Sequence, residues 1–365
     1  MKRRTFLQSG LAAVMGTPLL AALRNDRLED AAAVLASATS SGQVTSAVLH
    51  VLRGETAFTR HFGGAATEHA MFLLGSITKP LCVTALMTLF DRGEFRLEDR
   101  LQRFLPKFTG DGREQVTMQH LLTHVSGLPD QLAENASLRA SHAGMPAFVE
   151  AALRTPLQFT PGSRYQYSSM GILLAVEVGR RITGETFPAL VDRTVLAPLG
   201  MKHSALGVGR FALDDFVPCQ TEHGAPEAGA GDPSARNWDW NSPYWRKLGA
   251  PWGGAHASAA DVGRFLAEFL HRRGVVVKPE TAQRMTANQN PAGLTPRGLG
   301  FNVGAAAGSP GCSERTFGHT GSTGTLAWAD PATGTICVVL TSLPGRAVQP
   351  HPRELASGHV AGAVQ

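Results

Sequence analysis

The sequence has few lysines, no cluster of basic residues beyond the N-terminus and no long apolar run. Each of the last two absences excludes a class of protein. Only six of the 365 residues are lysine. Beyond the N-terminus the longest basic runs are pairs such as Arg180-Arg181, which argues against the clustered patch of a nucleic-acid-binding protein. No apolar run reaches the roughly 18 residues of a membrane span. Hydrophobic residues still make up 43% of the chain, enough for a sizeable buried core.

Cysteine is also scarce, and its spacing excludes two kinds of scaffold. The chain has no CxxC pair, and its four cysteines lie far apart: Cys82, Cys219, Cys312 and Cys337. This pattern fits neither a disulfide framework nor a zinc site, although a Cys219–Cys312 bridge stays open. His120 and His124 stand four residues apart without the glutamate of a HExxH motif. We therefore expect no metal and no organic cofactor.

The N-terminal segment has the layout of an export signal. Residues 1–23 contain three basic residues, no acid and an apolar stretch from Leu11 to Leu23. The run Arg3-Arg4-Thr5-Phe6-Leu7 resembles a twin-arginine signal. We therefore expect a periplasmic or secreted protein with no membrane span after signal removal. Loss of this segment would lower the net charge from +5 to +2.

The order of apolar patterns predicts an α/β (α+β) fold. β-rich segments occur near both ends of the chain, whereas the middle reads mainly as helices and loops: strands are expected at 44–52, 56–62, 324–329 and 335–341. This order favours one antiparallel sheet built from both termini and flanked by helices. We expect a single domain over 24–365, with 24–94 and 252–365 forming the α/β part and 95–251 a mostly helical insert.

One lysine lies in a pattern that carries chemistry. Ser76-Ile77-Thr78-Lys79 opens a segment that is apolar on nearly all faces and predicts a buried helix over 76–92. Residues i and i+3 share a helix face, so the hydroxyl and the amine can meet. A lysine in an apolar site can act as the base that a serine nucleophile needs. The spacing alone also fits a plain helix cap at Ser76 with a solvated Lys79.

Two later segments decide between these readings. Tyr167-Ser168-Ser169 resembles a Tyr-x-Asn motif, and His319-Thr320-Gly321 resembles a Lys-Thr-Gly motif. Together with Ser-x-x-Lys, and in this order, they resemble the serine β-lactamase and penicillin-binding-protein superfamily, in particular its class C branch with DD-peptidases and β-lactamase-like esterases. The resemblance spans roughly residues 28 to 345.

The resemblance implies a role for each matching position. Ser76 would be the acylated nucleophile, Lys79 its activating partner and Tyr167 a proton shuttle. The backbone N–H groups of Ser76 and Ser322 would form the oxyanion hole. Four residues would bind the substrate, with the third and fourth on an edge strand: Ser169, His319, Thr320 and Gly321.

Two departures from the motifs bear on the substrate. Ser169 stands where the pattern has asparagine, and His319 replaces a fixed positive charge with a group that ordinarily titrates near pH 6.5. An alternative for His319 is a neutral strand histidine packed beside Trp328. We therefore expect a secreted serine hydrolase that acts on small-molecule or peptide ester or amide acyl donors. A β-lactamase, a DD-carboxypeptidase and a cell-wall-binding module without turnover remain alternatives.

The loop before Gly253-Gly254 is rich in aromatic residues. It contains five of them within fifteen positions: Trp238, Trp240, Tyr244, Trp245 and Trp252. Such a loop can line an apolar acyl pocket or pack on its own side chains. Of the two, we favour a wall of the acyl pocket.

Overall fold

The computed structural model describes residues 25–65 and 67–363, so the expected export signal lies outside the described residues. Nine strands are present in this part: β1 Ser46–Arg53, β2 Thr56–Gly63, β3 Phe72–Leu73, β4 Ser204–Leu206, β5 Ala255–Ala257, β6 Asn302–Val303, β7 Phe317–Gly321, β8 Thr325–Asp330 and β9 Thr335–Thr341. Eleven α-helices accompany them: α1 Asn25–Ser40, α2 Thr78–Asp91, α3 Met118–Leu122, α4 Asn135–Ala140, α5 Met145–Arg154, α6 Ser169–Thr183, α7 Phe187–Val191, α8 Pro243–Leu248, α9 Ala259–His271, α10 Pro279–Met285 and α11 Pro352–Gly362.

Six strands form one sheet that joins the two ends of the chain. Its order is β2-β1-β9-β8-β7-β6, and every neighbouring pair is antiparallel. The pairing of β1 with β9 brings Val48 opposite Leu340 across almost 300 residues of sequence. The predicted antiparallel sheet flanked by helices is confirmed. A second sheet, in the order β3-β5-β4, has three short strands.

Both faces of the large sheet are covered because apolar residues occupy consecutive positions of its central strands. On β1, Val48 belongs to a core shared with α2 and α9, whereas Ala47 and Leu49 belong to a core shared with α1 and α11. Successive side chains of a strand point to opposite faces. A fully apolar strand is therefore buried on both sides.

The predicted buried helix begins differently from the expectation. Residues Gly75–Ile77 form a turn of 3-10 helix, and α2 continues from Thr78. Gly75 has φ +54°, and a Cβ at this position would lie 3.1 Å from the backbone nitrogen of Ser322. Glycine is therefore required here both by conformation and by close approach. Every residue of α2 from Thr78 to Leu89 is buried.

The middle of the chain departs from the predicted elements. The apolar pattern of residues 115–124 predicts a helix, but only α3 forms there, capped by Thr117 and followed by His124 at φ +61°. The pattern predicts neither α4 nor α10, and it predicts an irregular loop over 221–254, where α8 lies. These helices have five to seven residues, too few for a clear helical period. Cys219 and Cys312 are both free, so the structure shows no bridge between them.

Across residues 25–65 and 67–363, no helix combines the length and the apolar character needed to cross a membrane.

Candidate active site

Ser76 and Lys79 meet at the start of the buried helix. Lys79 Nζ donates a hydrogen bond to Ser76 Oγ at 2.8 Å and another to the backbone oxygen of Trp252 at 2.8 Å. The second contact fixes the amine, so that Nζ stays within hydrogen-bond distance of the Ser76 hydroxyl. Lys79 is fully buried. The reading of Lys79 as a solvated first-turn residue is therefore wrong.

Burial changes the acidity of this amine. Desolvation lowers the pKa of Lys79 from 10.5 to about 7, and the nearby positive charge of Arg297 acts in the same direction. The carboxylate of Asp130 opposes the shift in part. A large fraction of the amine is therefore neutral near pH 7 and able to accept the proton of Ser76.

Tyr167 lies against the same pair. Lys79 Nζ is 4.7 Å from the centroid of the Tyr167 ring. Burial raises the pKa of the phenol above its usual value, and Arg297 and the Ser76 side chain lower it only in part. The buried hydroxyl makes no well-oriented hydrogen bond within the described part of the chain. Tyr167 is therefore a neutral phenol at rest, available as a donor of a proton.

The turn after β7 is fastened to the segment before Ser76. Thr323 Oγ1 donates to the backbone oxygen of Leu73 at 2.6 Å, and Thr325 Oγ1 donates to that of Leu74 at 2.7 Å. The backbone oxygen of Ser322 accepts from Gly345 N at 2.9 Å. These contacts hold the peptide N–H of Ser322 beside Gly75, next to the serine. This placement suits an oxyanion hole built from fixed backbone donors.

Strand β7 presents an open edge next to this turn. Its outer neighbour β6 pairs only with Phe317 and Gly318, so Thr320 and Gly321 have a strand partner on the β8 side alone. The side chain of Thr320 is exposed. An extended substrate segment can add to such an edge by backbone hydrogen bonds.

His319 is neutral, but its neighbour differs from the one expected. Arg297 Nη2 donates to His319 Nε2 at 2.8 Å, and His319 Nδ1 contacts the backbone oxygen of Thr320 at 2.7 Å. Arginine can only donate, so the ring proton must lie on Nδ1. Burial and the charges of Arg297 and Lys79 hold the pKa of His319 well below 6.5. Trp328 pairs with Gly318 and lies in the core on the other face of the sheet, so packing of His319 beside it is wrong.

Ser169 is hydrogen-bonded to the carboxylate of Asp130, a residue that sequence reasoning missed. Asp130 Oδ1 accepts hydrogen bonds from the Ser169 hydroxyl at 2.6 Å and from the Ser169 backbone N–H at 2.9 Å. The proton of this hydroxyl is thus directed at Asp130, and only the oxygen can accept from a substrate. Asp130 also places a negative charge near Lys79.

His120 and His124 both accept hydrogen bonds from backbone N–H groups. Thr117 N donates to His120 Nδ1 at 3.3 Å, and Ser168 N donates to His124 Nδ1 at 3.1 Å. The ring of His124 lies 4.6 Å from the Tyr167 ring, centroid to centroid. In the described ranges, no group of three or more His, Cys, Asp or Glu side chains is arranged to hold a metal ion.

All the predicted site side chains border one cavity of about 370 Å³, except Lys79, which lies beneath Ser76. Three tryptophans of the aromatic loop form part of its wall: Trp240, Trp245 and Trp252. Tyr244 instead donates to the backbone oxygen of Ala143. The reading of this loop as a pocket wall therefore applies to these three residues.

Comparison with known proteins decides the family. The Beta-lactamase family matches residues 25–359, nearly the whole described chain. The chain belongs to the β-lactamase family. Esterase EstB of Burkholderia gladioli is 32% identical to it over 347 residues, which cover 83% of each chain.

Two further comparisons agree with this membership. A putative D-alanyl-D-alanine carboxypeptidase of Salmonella agona is 28% identical over 310 residues, covering 76% of this chain and 71% of the relative. The D-amino acid amidase of Ochrobactrum anthropi shares the fold with a TM-score of 0.76 and 23% identity, covering 92% of this chain and 98% of that one. This β-lactamase-family protein is a serine hydrolase.

Sequence reasoning did not find the charged side chains that border the site of this β-lactamase-family protein, which include Glu227, Arg346 and Arg353. Asp130, Arg139 and Arg297 all line the cavity. They come from a loop, a short helix and an isolated bridge, none of which shows a periodic pattern. Asp130 has no local signal either, because the groups it acts on, Ser169 and Lys79, lie far from it in the sequence.

Proposed function

We propose that this protein cleaves ester or amide acyl donors through an acyl intermediate on Ser76. The hydrogen bond between Lys79 Nζ and Ser76 Oγ at 2.8 Å carries the proposal, because the amine has a pKa of about 7. A base with this pKa is half deprotonated at neutral pH and can take the serine proton during attack.

Acylation involves three proton transfers. Ser76 Oγ attacks the carbonyl carbon as its proton passes to Lys79 Nζ. The carbonyl oxygen becomes negative, and the backbone N–H groups of Ser76 and Ser322 stabilise it. Tyr167 then gives its phenolic proton to the leaving oxygen or nitrogen and regains one from Lys79. The neutral resting state of Tyr167 supports this role as an acid.

Deacylation reverses the proton path with water as the nucleophile. A water molecule attacks the acyl carbon as its proton passes to the neutral amine of Lys79; the bond between the acyl carbon and Ser76 Oγ then breaks, and Lys79 returns the proton to Ser76 Oγ. The same N–H pair holds the second oxyanion. The products are a carboxylic acid and the free enzyme.

The substrate class divides into two candidates. The missing asparagine at Ser169 and the similarity to an esterase support simple ester donors. Arg297 favours the second candidate, a DD-carboxypeptidase or β-lactamase activity. Its positively charged guanidinium contacts His319 and borders the cavity. A substrate carboxylate could bind beside this charge. A penicillin-binding module without turnover is less well supported, since the nucleophile and its base are in contact.

We further propose that the protein acts in the periplasm or outside the cell. Support comes from the sequence of residues 1–23 alone, with its paired arginines and apolar stretch.

Steady-state turnover tests the proposed reaction. Purified protein is offered p-nitrophenyl esters, nitrocefin and a peptide ending in D-Ala-D-Ala, and the variant Ser76→Ala is compared with Ser40→Ala, an exposed serine at the end of α1. We expect ester turnover in the native and Ser40→Ala proteins and a loss of at least about 10³-fold in Ser76→Ala.

The outcomes separate the candidates. Ester cleavage that survives Ser76→Ala contradicts an acyl-Ser76 mechanism. Faster turnover of nitrocefin or of the peptide than of any ester moves the assignment to the second candidate. One equivalent of product without further turnover indicates a binding module.

A further inference from the structure

Arg139 is a buried guanidinium at the wall of the catalytic cavity. It belongs to α4, is 1% exposed and borders the same cavity as Ser76. Its plane stacks on Trp245, with Cζ 3.8 Å from the ring centroid. Among the described residues its single hydrogen bond runs from Nε to Asn135 Oδ1 at 3.2 Å, and Nη1 is buried without an acceptor.

The neighbouring tryptophans add further unused donors. Trp245 Nε1 and Trp252 Nε1 are both buried without an acceptor in the described part of the chain. Their rings lie 6.1 Å apart, centroid to centroid, and the backbone oxygen of Trp252 accepts from Lys79. A continuous wall therefore runs from the catalytic amine to Arg139. Buried donors without acceptors are costly, so this wall is suited to a ligand that brings acceptors.

The charge of Arg139 is already partly balanced. Burial lowers its pKa to about 10, and the negative charge of Glu227 acts against that shift. Arg139 is therefore still protonated at neutral pH. Glu227 borders the same cavity, so a second carboxylate brought by a substrate would be repelled. An uncharged acceptor such as a carbonyl oxygen meets the donors without this repulsion.

We propose that Arg139, stacked on Trp245, forms a subsite for an uncharged carbonyl oxygen carried within the acyl group of the substrate. The inference rests on the proposed function, because it assigns specificity to the acyl part of the same acyl-Ser76 reaction. The tryptophan faces hold the apolar part of the acyl chain, and the guanidinium selects chains that carry a ketone, ester or amide carbonyl. Plain alkyl donors leave the guanidinium unpaired and react more slowly.

A matched series of p-nitrophenyl esters tests the subsite in the native protein. Each acyl chain is compared in three forms of equal length: plain alkyl, with a keto group at carbon 5, 6, 7 or 8, and with a terminal carboxylate. At one keto position we expect kcat/KM to exceed that of the alkyl ester by about 10- to 100-fold, the value of a hydrogen bond to a charged group.

Three results of this series overturn the proposal. One is equal kcat/KM for keto and alkyl esters at every position. Another is a preference for the carboxylate form over both neutral forms, which means that the subsite binds anions. If the native protein cleaves no ester at all, the proposed ester function fails, and the subsite with it. Alkyl cleavage without a keto preference removes the subsite alone.

The variant Arg139→Met links the preference to the residue. Its control is Arg154→Met on α5, where the side chain is 70% exposed and pairs with Glu150 on the surface. We expect Arg139→Met to lose the keto preference, measured within each variant as the ratio of kcat/KM for the keto ester to that for the alkyl ester, and Arg154→Met to keep it. Retention of the preference in Arg139→Met overturns the assignment. If that variant fails to fold, the native series and Arg139→Lys, expected to keep only part of the preference, still decide.

Discussion

Lys79 shows how its surroundings give one side chain a chemical role. The motif Ser-x-x-Lys is local, so the contact of the two side chains could be predicted from helix geometry. The acidity of the amine could not, because it depends on burial in the folded protein and on the charges of Asp130 and Arg297, which come from distant parts of the chain. The same holds for His319: its resemblance to a motif was visible, but its neutral state follows from burial and from the charge of Arg297. Short motifs therefore identify reacting groups, whereas their charges require the fold.

The pKa of Lys79 makes a prediction about pH. The neutral amine is the active form, so kcat/KM for an uncharged ester should rise with pH and reach half of its plateau near pH 7. Asp130 stabilises the charged amine, and Asp130→Asn should move this half-rise to lower pH. Asp30→Asn, an exposed change on α1, is the control and should leave it in place. A flat profile from pH 5.5 to 8.5 would contradict the assignment of Lys79 as base.

At the scale of elements, the site depends on one close approach between two segments. The hydroxyls of Thr323, in the turn after β7, and Thr325, at the start of β8, donate to the backbone oxygens of Leu73 and Leu74, just before the 3-10 turn that leads into α2. The sequence predicted the terminal strands because their apolar residues form continuous runs. Local patterns did not predict this approach, because its only local sign is a glycine at position 75; the family resemblance alone implied that Ser322 lies beside Ser76.

Replacing Gly75 distinguishes the effect of backbone strain from the effect of its close approach to Ser322. Gly75→Ala and Gly93→Ala both place alanine at positive φ, +54° and +76°, which costs roughly 1–2 kcal/mol of folding free energy. A Cβ at 75 would also press on Ser322 N, whereas a Cβ at 93 has no atom within 4 Å. We expect Gly75→Ala to lose at least as much thermal stability as Gly93→Ala, and kcat to fall by about tenfold or more in Gly75→Ala alone. Equal kcat values would show that the Ser322 N–H is not part of the oxyanion hole.

At the scale of the whole molecule, the two ends of the chain build one sheet. Helices α1 and α11 share a core on one face with residues such as Leu28, Leu35 and Val360. The catalytic cavity lies on the side of the other core, which contains α2. The antiparallel sheet was predictable from strands near both termini. Helices α4, α8 and α10 were not, since each is too short to show a period.

The proposed export signal also acts at this scale. Changing both Arg3 and Arg4 to lysine should prevent delivery of the protein to the periplasm, because the twin-arginine pair is what the export pathway reads. Arg27→Lys, on α1, is the matched control and should be exported normally. Cell fractionation with intact mass of the exported protein measures both effects. Normal export of the double variant would contradict a twin-arginine signal, and an exported chain that retains residues 1–23 would contradict a cleaved one.

The central claim is that Ser76 becomes acylated during turnover. Intact mass measured after rapid acid quenching of the protein with an ester tests it most directly, with peptide mapping to locate the added group. We expect one acyl group per chain on the peptide that contains Ser76 and none on the Ser76→Ala variant. An acyl group on another residue, or rapid turnover without any adduct on Ser76 at the shortest quench times, would contradict the account.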